Sequence, residues 1–125
     1  MEKKFLKLND ITSYKTAFSL SNYVWGLVIK WDYFSRDTIG KQFVRAADSI
    51  SANIAEGFNR YYKKEKIQFY RYSFGSIGES FDWNEKAKTR RLTKAEEYNH
   101  IFNQLQTLPK EINHLINFTN EKLQK

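Results

Sequence analysis

The stretch that decides the fold is Gln42–Gly57, Gln-Phe-Val-Arg-Ala-Ala-Asp-Ser-Ile-Ser-Ala-Asn-Ile-Ala-Glu-Gly. Its apolar residues recur three and four positions apart with small residues around them, a pattern typical of a closely packed helix. Polar residues share this segment, and buried polar groups need hydrogen-bond partners. We therefore expect a structural polar seam between helices, formed by Gln42, Arg45, Asn53, Glu56 and, from a later helix, Glu79.

Three further segments have apolar residues at the same spacing. The sequence predicts helices at approximately residues 12–31, 37–57, 63–88 and 94–122, within a single domain covering residues 1–125. Five Gly and one Pro are too few for the turns of a β-rich fold. Four amphipathic helices with short connections bury their apolar stripes most simply as an all-α, antiparallel up-down-up-down four-helix bundle.

Local signals indicate where the helices end and how closely they pack. Gly57 is expected to end the second helix, because glycine tolerates the left-handed conformation of a helix C-terminus. Thr93-Lys-Ala-Glu96 matches a capping box at the start of the fourth helix. Gly75 and Gly78 should each cost the third helix about 1 kcal/mol relative to alanine, so we expect a packing reason for both.

Composition bounds the cellular context. The chain has no cysteine, which excludes disulfides and thiolate metal sites and fits a reducing cytoplasm. Its longest apolar run, Tyr23–Ile29, is too short to cross a bilayer, and charges occupy the N-terminal stretch where a signal peptide is apolar. We expect a cytoplasmic protein with no membrane partner.

Large residues on a second side of the first helix, Phe18, Trp25 and Ile29, lie off its core stripe. Two interpretations stay open. Either a neighbouring helix or the aromatic turn from Trp31 to Phe34 covers these side chains, or they form an oligomer interface.

No constellation in the sequence predicts catalysis. Glu97-x-x-His100 and Glu111-x-x-His114 have the ligand spacing of di-iron bundles. Both motifs lie on one helix, however, and fourteen residues at about 1.5 Å each separate them by roughly 21 Å, so they do not share a metal pair. With no nucleophile or phosphate-loop signature, we expect no enzyme activity, no catalytic residues, no cofactor and no metal.

Basic residues offer the better functional signal. The net charge is +7, from 21 Lys and Arg against 14 Asp and Glu, and basic segments flank both ends of the third helix. Such residues bind phosphates, and nearby Tyr61, Tyr62 and Tyr72 could stack on unpaired bases. The alternative is an ordinary solvated basic turn. The candidate nucleic-acid-binding residues are Arg60, Lys63, Lys64, Arg71, Lys86, Lys88, Arg90, Arg91 and Lys94.

A family resemblance rests on the same residues. The motifs are Arg45-Ala-Ala, Ser49-Ile, Asn53-Ile-Ala-Glu-Gly57 and, in the third helix, Gly75-Ser-x-x-Glu79. They resemble the rRNA intervening-sequence proteins, a four-helix-bundle family first noticed as reading frames inside intervening sequences of bacterial large-subunit ribosomal RNA genes.

The resemblance implies a bacterial, cytoplasmic bundle that assembles as a ring-like homo-oligomer, commonly a pentamer, with no established enzymatic activity. Relatives that accompany diversity-generating reverse transcriptases bind nucleic acid and the transcriptase through basic ring surfaces. The sequence thus predicts a non-enzymatic homo-oligomer of unestablished role whose basic surfaces bind RNA or DNA. The alternative is a protein-binding scaffold or accessory subunit that does not bind nucleic acid.

Overall fold

The structure, a computed structural model, describes residues 6–122, and over that range it contains helices and no strands. A 3₁₀ turn at Leu8–Asp10 precedes the first long helix, and the helical turn Tyr33–Ser35 with the π-helical segment Arg36–Gly40 leads into the second. The four long helices are α1 (Thr12–Val28), α2 (Lys41–Asn59), α3 (Lys63–Thr89) and α4 (Ala95–Lys122).

Contacts at both ends of α3 establish how the helices run. At its start, Lys63 Nζ donates a hydrogen bond to the carbonyl oxygen of Asn120, close to the end of α4, at 3.2 Å. Towards its end, Asn84 Nδ2 donates to the carbonyl oxygen of Tyr98, close to the start of α4, also at 3.2 Å. α2 packs against α1 and α3, and α4 closes the ring against α3 and α1. The predicted all-α four-helix bundle is confirmed, and these contacts show that α3 and α4 run antiparallel.

The core is continuous along the bundle axis and apolar. Each helix contributes residues three and four positions apart, because this spacing places side chains on one face of a 3.6-residue helix. α4 runs through Pro109 without interruption. α1 ends at Val28, before the predicted end at residue 31. The largest fully buried side chains are Tyr70, Phe43, Leu20, Ile50, Ile54, Ile101, Leu105, Leu108 and Ile112.

Gly57 has a different role from the predicted one. α2 continues past it to Asn59, and no described glycine has a positive φ, so Gly57 is not a left-handed helix terminus. Its importance is steric: a Cβ at this position would lie 2.7 Å from Tyr70 Cε1 and 2.8 Å from the carbonyl oxygen of Lys66. α2 ends two residues later, at Asn59. The missing side chain of Gly57 allows α3 to approach the backbone of α2.

Three other local expectations were wrong. Gly75 and Gly78 have no packing reason within the described chain, because a Cβ at either would meet no atom within 4 Å. The predicted capping box is shifted by one residue: the Lys94 N–H donates to the Glu97 carboxylate at 2.7 Å. Within residues 6–122, the buried Thr93 hydroxyl has no hydrogen-bond partner.

Substituting alanine for glycine should therefore have opposite effects at two positions. Gly57→Ala should lower the free energy of unfolding by about 1–3 kcal/mol, because the new methyl group overpacks the Tyr70 ring. Gly75→Ala should raise it by up to about 1 kcal/mol, since the added methyl group meets open space and alanine favours the helix. Urea denaturation followed by circular dichroism measures both. Equal effects at the two sites would contradict this account of Gly57.

Candidate nucleic-acid interface

The predicted basic residues form two groups at opposite ends of the bundle. One group flanks the α2–α3 connection, and the other flanks the α3–α4 connection. Lys63 and Lys88 mark the two ends, separated by about 37 Å at about 1.5 Å per helical residue. The structure does not bring the two groups together, so within one chain they are two surfaces. We call them the lower basic group (Arg60, Lys63, Lys64, Arg71) and the upper basic group (Lys86, Lys88, Arg90, Arg91, Lys94).

In the lower basic group, two of the four cations are engaged in holding the helices together. Arg60 forms an ion pair with Glu56 at 2.8 Å, and its guanidinium lies 4.6 Å from the centre of the Phe69 ring. Lys63 donates to the end of α4, as described above. Lys64 and Arg71 are exposed and form no ion pair among residues 6–122. Of the four cations, Arg60 is neutralised by an ion pair, and Lys63 keeps its charge but is held against α4.

Lys66, next to this group, shows the same structural use of a basic residue. Its Nζ donates to the carbonyl oxygen of Phe58 at 2.7 Å, at the C-terminal end of α2, where cations are favoured by the helix dipole. Burial lowers the pKa of the Lys66 ammonium from its ordinary value. A sequence reading of charge alone cannot separate such a residue from a free surface lysine.

Exposed aromatic rings stand beside the lower basic group. Tyr61 is 74% exposed, and its ring centre lies 4.9 Å from that of Tyr62 in an edge-to-face arrangement. The Tyr61 ring is thus open to a stacking partner. Tyr72 is half exposed on α3, where its hydroxyl oxygen accepts a hydrogen bond from Gln68 at 2.7 Å.

In the upper basic group, the residues still inside α3 pack on aromatic rings. Lys86 forms an ion pair with Asp82 at 2.6 Å and lies 4.6 Å from the Trp83 ring centre. Lys88 lies 4.3 Å from the centre of the Tyr98 ring. The Tyr98 hydroxyl donates to the Glu85 carboxylate, and this hydrogen bond raises the pKa of the Tyr98 phenol.

The turn after α3 presents the free cations. Arg90, Arg91 and Lys94 are exposed and form no ion pair within residues 6–122. The Leu92 N–H donates to the carbonyl oxygen of Ala87 at 2.8 Å, and the Arg91 N–H donates to that of Lys88 at 3.0 Å. These are the two hydrogen bonds of a Schellman motif, in which glycine is the usual residue at the position that Arg91 occupies.

Arg91 has φ 60°, and it is the one non-glycine residue with a positive φ in the described chain. Its side chain is exposed. The sequence does not reveal this conformation, because nothing in Arg-Arg-Leu marks a left-handed residue.

The residues predicted to form a polar seam do not join helices in the described part of the chain. Asn53 donates to a carbonyl one turn earlier in α2 at 2.9 Å. Glu56 pairs with Arg60 of the connection that follows, and Glu79 accepts from the Trp83 indole N–H at 3.2 Å within α3. Each of these bonds is local in sequence.

Gln42 and Arg45 complete that predicted seam, and neither side chain has a hydrogen bond among residues 6–122. The seam prediction was wrong because these residues lie on the outer edge of α2, while its inward positions hold apolar and small residues. The polar contacts that do join α2 to α3 include the Lys66 bond to Phe58 described above and the Ser73 hydroxyl, which donates to the carbonyl oxygen of Ile50 at 3.1 Å.

The outer face of α1 remains uncovered. Phe18, Trp25 and Ile29 are 51%, 55% and 47% exposed, and the aromatic turn does not cover them, since Tyr33 and Phe34 are more exposed still. We call Phe18, Trp25 and Ile29 the α1 outer face.

The α1 outer face continues into a groove of about 400 Å³ between α1 and α2. Val28 and Val44 contribute to its apolar walls, and Arg45 and Asp48 to its polar edge. Burial raises the pKa of the Asp48 carboxyl from its ordinary value. The groove is thus an apolar recess with charges of both signs along one side.

The histidines of the two Glu-x-x-His motifs lie apart. The His100 ring packs 4.2 Å from the Tyr23 ring, and His114 is exposed further along α4. Across residues 6–122, no three His, Asp or Glu side chains are placed to hold a metal ion together. Nor does any helix in that range combine the length and apolarity needed to span a bilayer.

This geometry defines a small, basic four-helix bundle with free cations at its ends. The family described as 23S rRNA-intervening sequence protein matches residues 9–114, and the chain belongs to that family. The predicted family resemblance is thus confirmed. None of the curated proteins matches the sequence.

Among the similar solved structures is one that matches most of this chain. It is a protein of unknown function from the S23 ribosomal protein family of Bacteroides thetaiotaomicron, with a TM-score of 0.74 and 19% sequence identity. The match covers 84% of this chain and 98% of that chain. At this identity the likeness supports the fold alone.

The left-handed conformation of Arg91 leads to a stability prediction. Arg91→Gly should raise the free energy of unfolding by about 1 kcal/mol, because glycine adopts this conformation without the steric cost that a Cβ imposes. Arg90→Gly, which removes the same charge at a neighbouring residue with negative φ, should not stabilise the protein. Urea denaturation at moderate salt measures both. Stabilisation by both variants would instead indicate relief of charge repulsion.

Proposed function

We propose that this protein is a non-enzymatic, self-associating helical bundle that binds the phosphate backbone of RNA or DNA at its ends. The observation that carries the proposal is the turn after α3, where Arg90, Arg91 and Lys94 are exposed with no acidic partner in the described chain. Lysine and arginine bind polyanions by releasing condensed counterions, which requires cations not already neutralised by the protein.

Two physical arguments favour the upper basic group as the main contact. Its free cations lie within five consecutive residues, a spacing that suits successive phosphates of one strand. Arg91 also stands in the conformation that normally selects glycine, so its side chain has a role that the turn does not require. The lower basic group contributes Lys64 and Arg71, with Tyr61 as a stacking surface for an unpaired base.

Self-association is the second part of the proposal, and the α1 outer face supports it. Side chains of this size are rarely left about half exposed in a contiguous row on a monomer. The family resemblance implies a ring, commonly a pentamer. A ring would repeat each basic group once per subunit, so weak phosphate contacts would add up by multivalency. We propose the bacterial cytoplasm as the compartment where the protein meets RNA.

The α1 outer face also favours a second candidate function, a protein-binding scaffold without nucleic-acid affinity. Its groove, with apolar walls and charged edge, suits a helix of another protein. The two functions differ in their response to salt, since binding through apolar burial does not weaken as salt rises.

A charge-matched pair of double variants tests nucleic-acid binding. Arg90→Gln with Arg91→Gln should weaken binding to labelled single-stranded RNA and duplex DNA. It should also reduce the slope of log affinity against log salt by about 0.7–0.9 per lost contact. Lys15→Gln with Lys110→Gln removes the same charge from exposed positions outside both basic groups and should change affinity much less. Fluorescence anisotropy across a salt series gives both quantities.

Three results would count against this function. They are no binding at low salt, affinity that does not fall with salt, and equal losses in the two double variants. The last would reduce the effect to net charge, without a defined site.

Removing the α1 outer face should dissociate the oligomer. Phe18→Ser with Trp25→Ser should lower the mass measured by light scattering after size exclusion towards the 15.0 kDa chain. Both side chains are about half exposed, so the bundle should stay folded by circular dichroism. Tyr72→Ser, at a similarly exposed aromatic residue on α3, is the control and should leave the mass unchanged. A monomeric parent protein at micromolar concentration would contradict self-association.

A further inference from the structure

The cleft between the start of α1 and the second half of α4 has no part in the proposed function. Its volume is about 350 Å³, within the range of small-molecule sites. Apolar walls come from Ile11 and Leu115, and Leu6 and Phe118, each 45% exposed, are the large apolar side chains that remain open to solvent there. Such a recess offers an apolar binding surface with an open side.

Two buried polar atoms in this cleft lack partners. Ser13 lines the cleft although only 1% of it is exposed, and its hydroxyl makes no hydrogen bond to any residue in the range 6–122. Glu111 Oε1 is also buried at the cleft and is equally without a partner in that range. Buried polar groups are rarely left unsatisfied, and a carboxylate costs most when it is. Both oxygens can accept hydrogen bonds from a molecule bound in the cleft, water or a ligand.

The charge of the cleft indicates that its hydrogen-bond donor is a cation. Its acidic side chains are Asp10 and Glu111, His114 is the histidine that lines it, and no Lys or Arg is found among the described residues there. Asp10 accepts a hydrogen bond from the Lys7 N–H at 2.9 Å and lies beside the N-terminus of α1, whose dipole offsets part of its charge. Glu111 lies in the middle of α4 and has no such compensation. In a chain of net charge +7, this is a locally negative recess.

We propose that this cleft binds a small organic primary ammonium ion with an apolar tail. The ammonium group donates hydrogen bonds to Glu111 Oε1 and to the Ser13 hydroxyl oxygen, and the tail lies against Leu115 and Phe118. An ammonium has three donors and no acceptor, which matches two unpartnered oxygens better than an anion does. A charge-assisted bond to the carboxylate supplies the specificity.

The test uses the full chain and 2-phenylethylammonium chloride as the probe, titrated by calorimetry and by ¹H–¹⁵N NMR. Sodium 3-phenylpropionate, with a similar ring and the opposite charge, is the matched ligand control. We expect saturable binding of the ammonium, with shift changes around Ser13 and Glu111, and no comparable binding of the carboxylate. Equal binding of both ions, no saturable binding of the ammonium, or shifts elsewhere would overturn the proposal.

Ligand binding by three variants distinguishes a defined binding site from a general effect on the structure. Glu111→Gln keeps the shape and removes the charge, and it should weaken binding by about tenfold or more. Glu96→Gln makes the same change at an exposed position at the other end of α4 and should leave binding unchanged. Ser13→Ala should weaken binding without lowering the stability of the free protein, because it deletes an unsatisfied buried hydroxyl. Unchanged affinity in Glu111→Gln would overturn the proposal, whatever the effect at Ser13.

Discussion

The close approach of α2 and α3 at Gly57 is the contact on which the rest of the bundle depends. With no Cβ at this position, the Tyr70 ring lies against the α2 backbone, where it is 2% exposed and burial raises its phenol pKa to about 12. One turn further into the core, Ser73 bonds to the α2 backbone. Because α3 carries a basic group at each end, the contact that fixes its position against α2 also places both groups. The fold and the candidate interface thus share one steric requirement.

Sequence patterns predicted the bundle well because the signal for it is local. Apolar residues three and four positions apart determine which face of each helix is buried. Four such helices have few ways to pack. The same reasoning failed for the polar seam, since Arg45 and Glu56 are only a small rotation away from the buried face of α2. The prediction that Gly57 ends the second helix was wrong for a related reason. Glycine often indicates a left-handed backbone, but the role of Gly57 is a close contact with Tyr70, thirteen positions later.

Charge is visible in a sequence, but the partners that neutralise it are not. Arg60 and Lys63 are two of the nine candidate phosphate contacts, yet Arg60 pairs with Glu56 and Lys63 binds the end of α4. The Lys63 bond joins residues 57 positions apart and depends on how the bundle closes, which no local pattern records. In the sequence, Arg90 and Arg91 look like any basic residues at the end of a helix. The structure shows that they form no ion pair within residues 6–122. The structure shows which of the nine candidate cations have partners within residues 6–122, and all nine stay predictions as nucleic-acid contacts.

Arg91 shows how the demands of fold and function separate at one residue. The Schellman turn needs a left-handed residue there, and glycine would supply it at no steric cost. Arginine costs the folded state of the order of 1 kcal/mol and, within residues 6–122, recovers none of it through an ion pair. A residue held in such a conformation is a reason to propose a role for its side chain beyond the fold. An exposed guanidinium next to a second exposed one at Arg90, with no ion pair within residues 6–122, is suited to a phosphate.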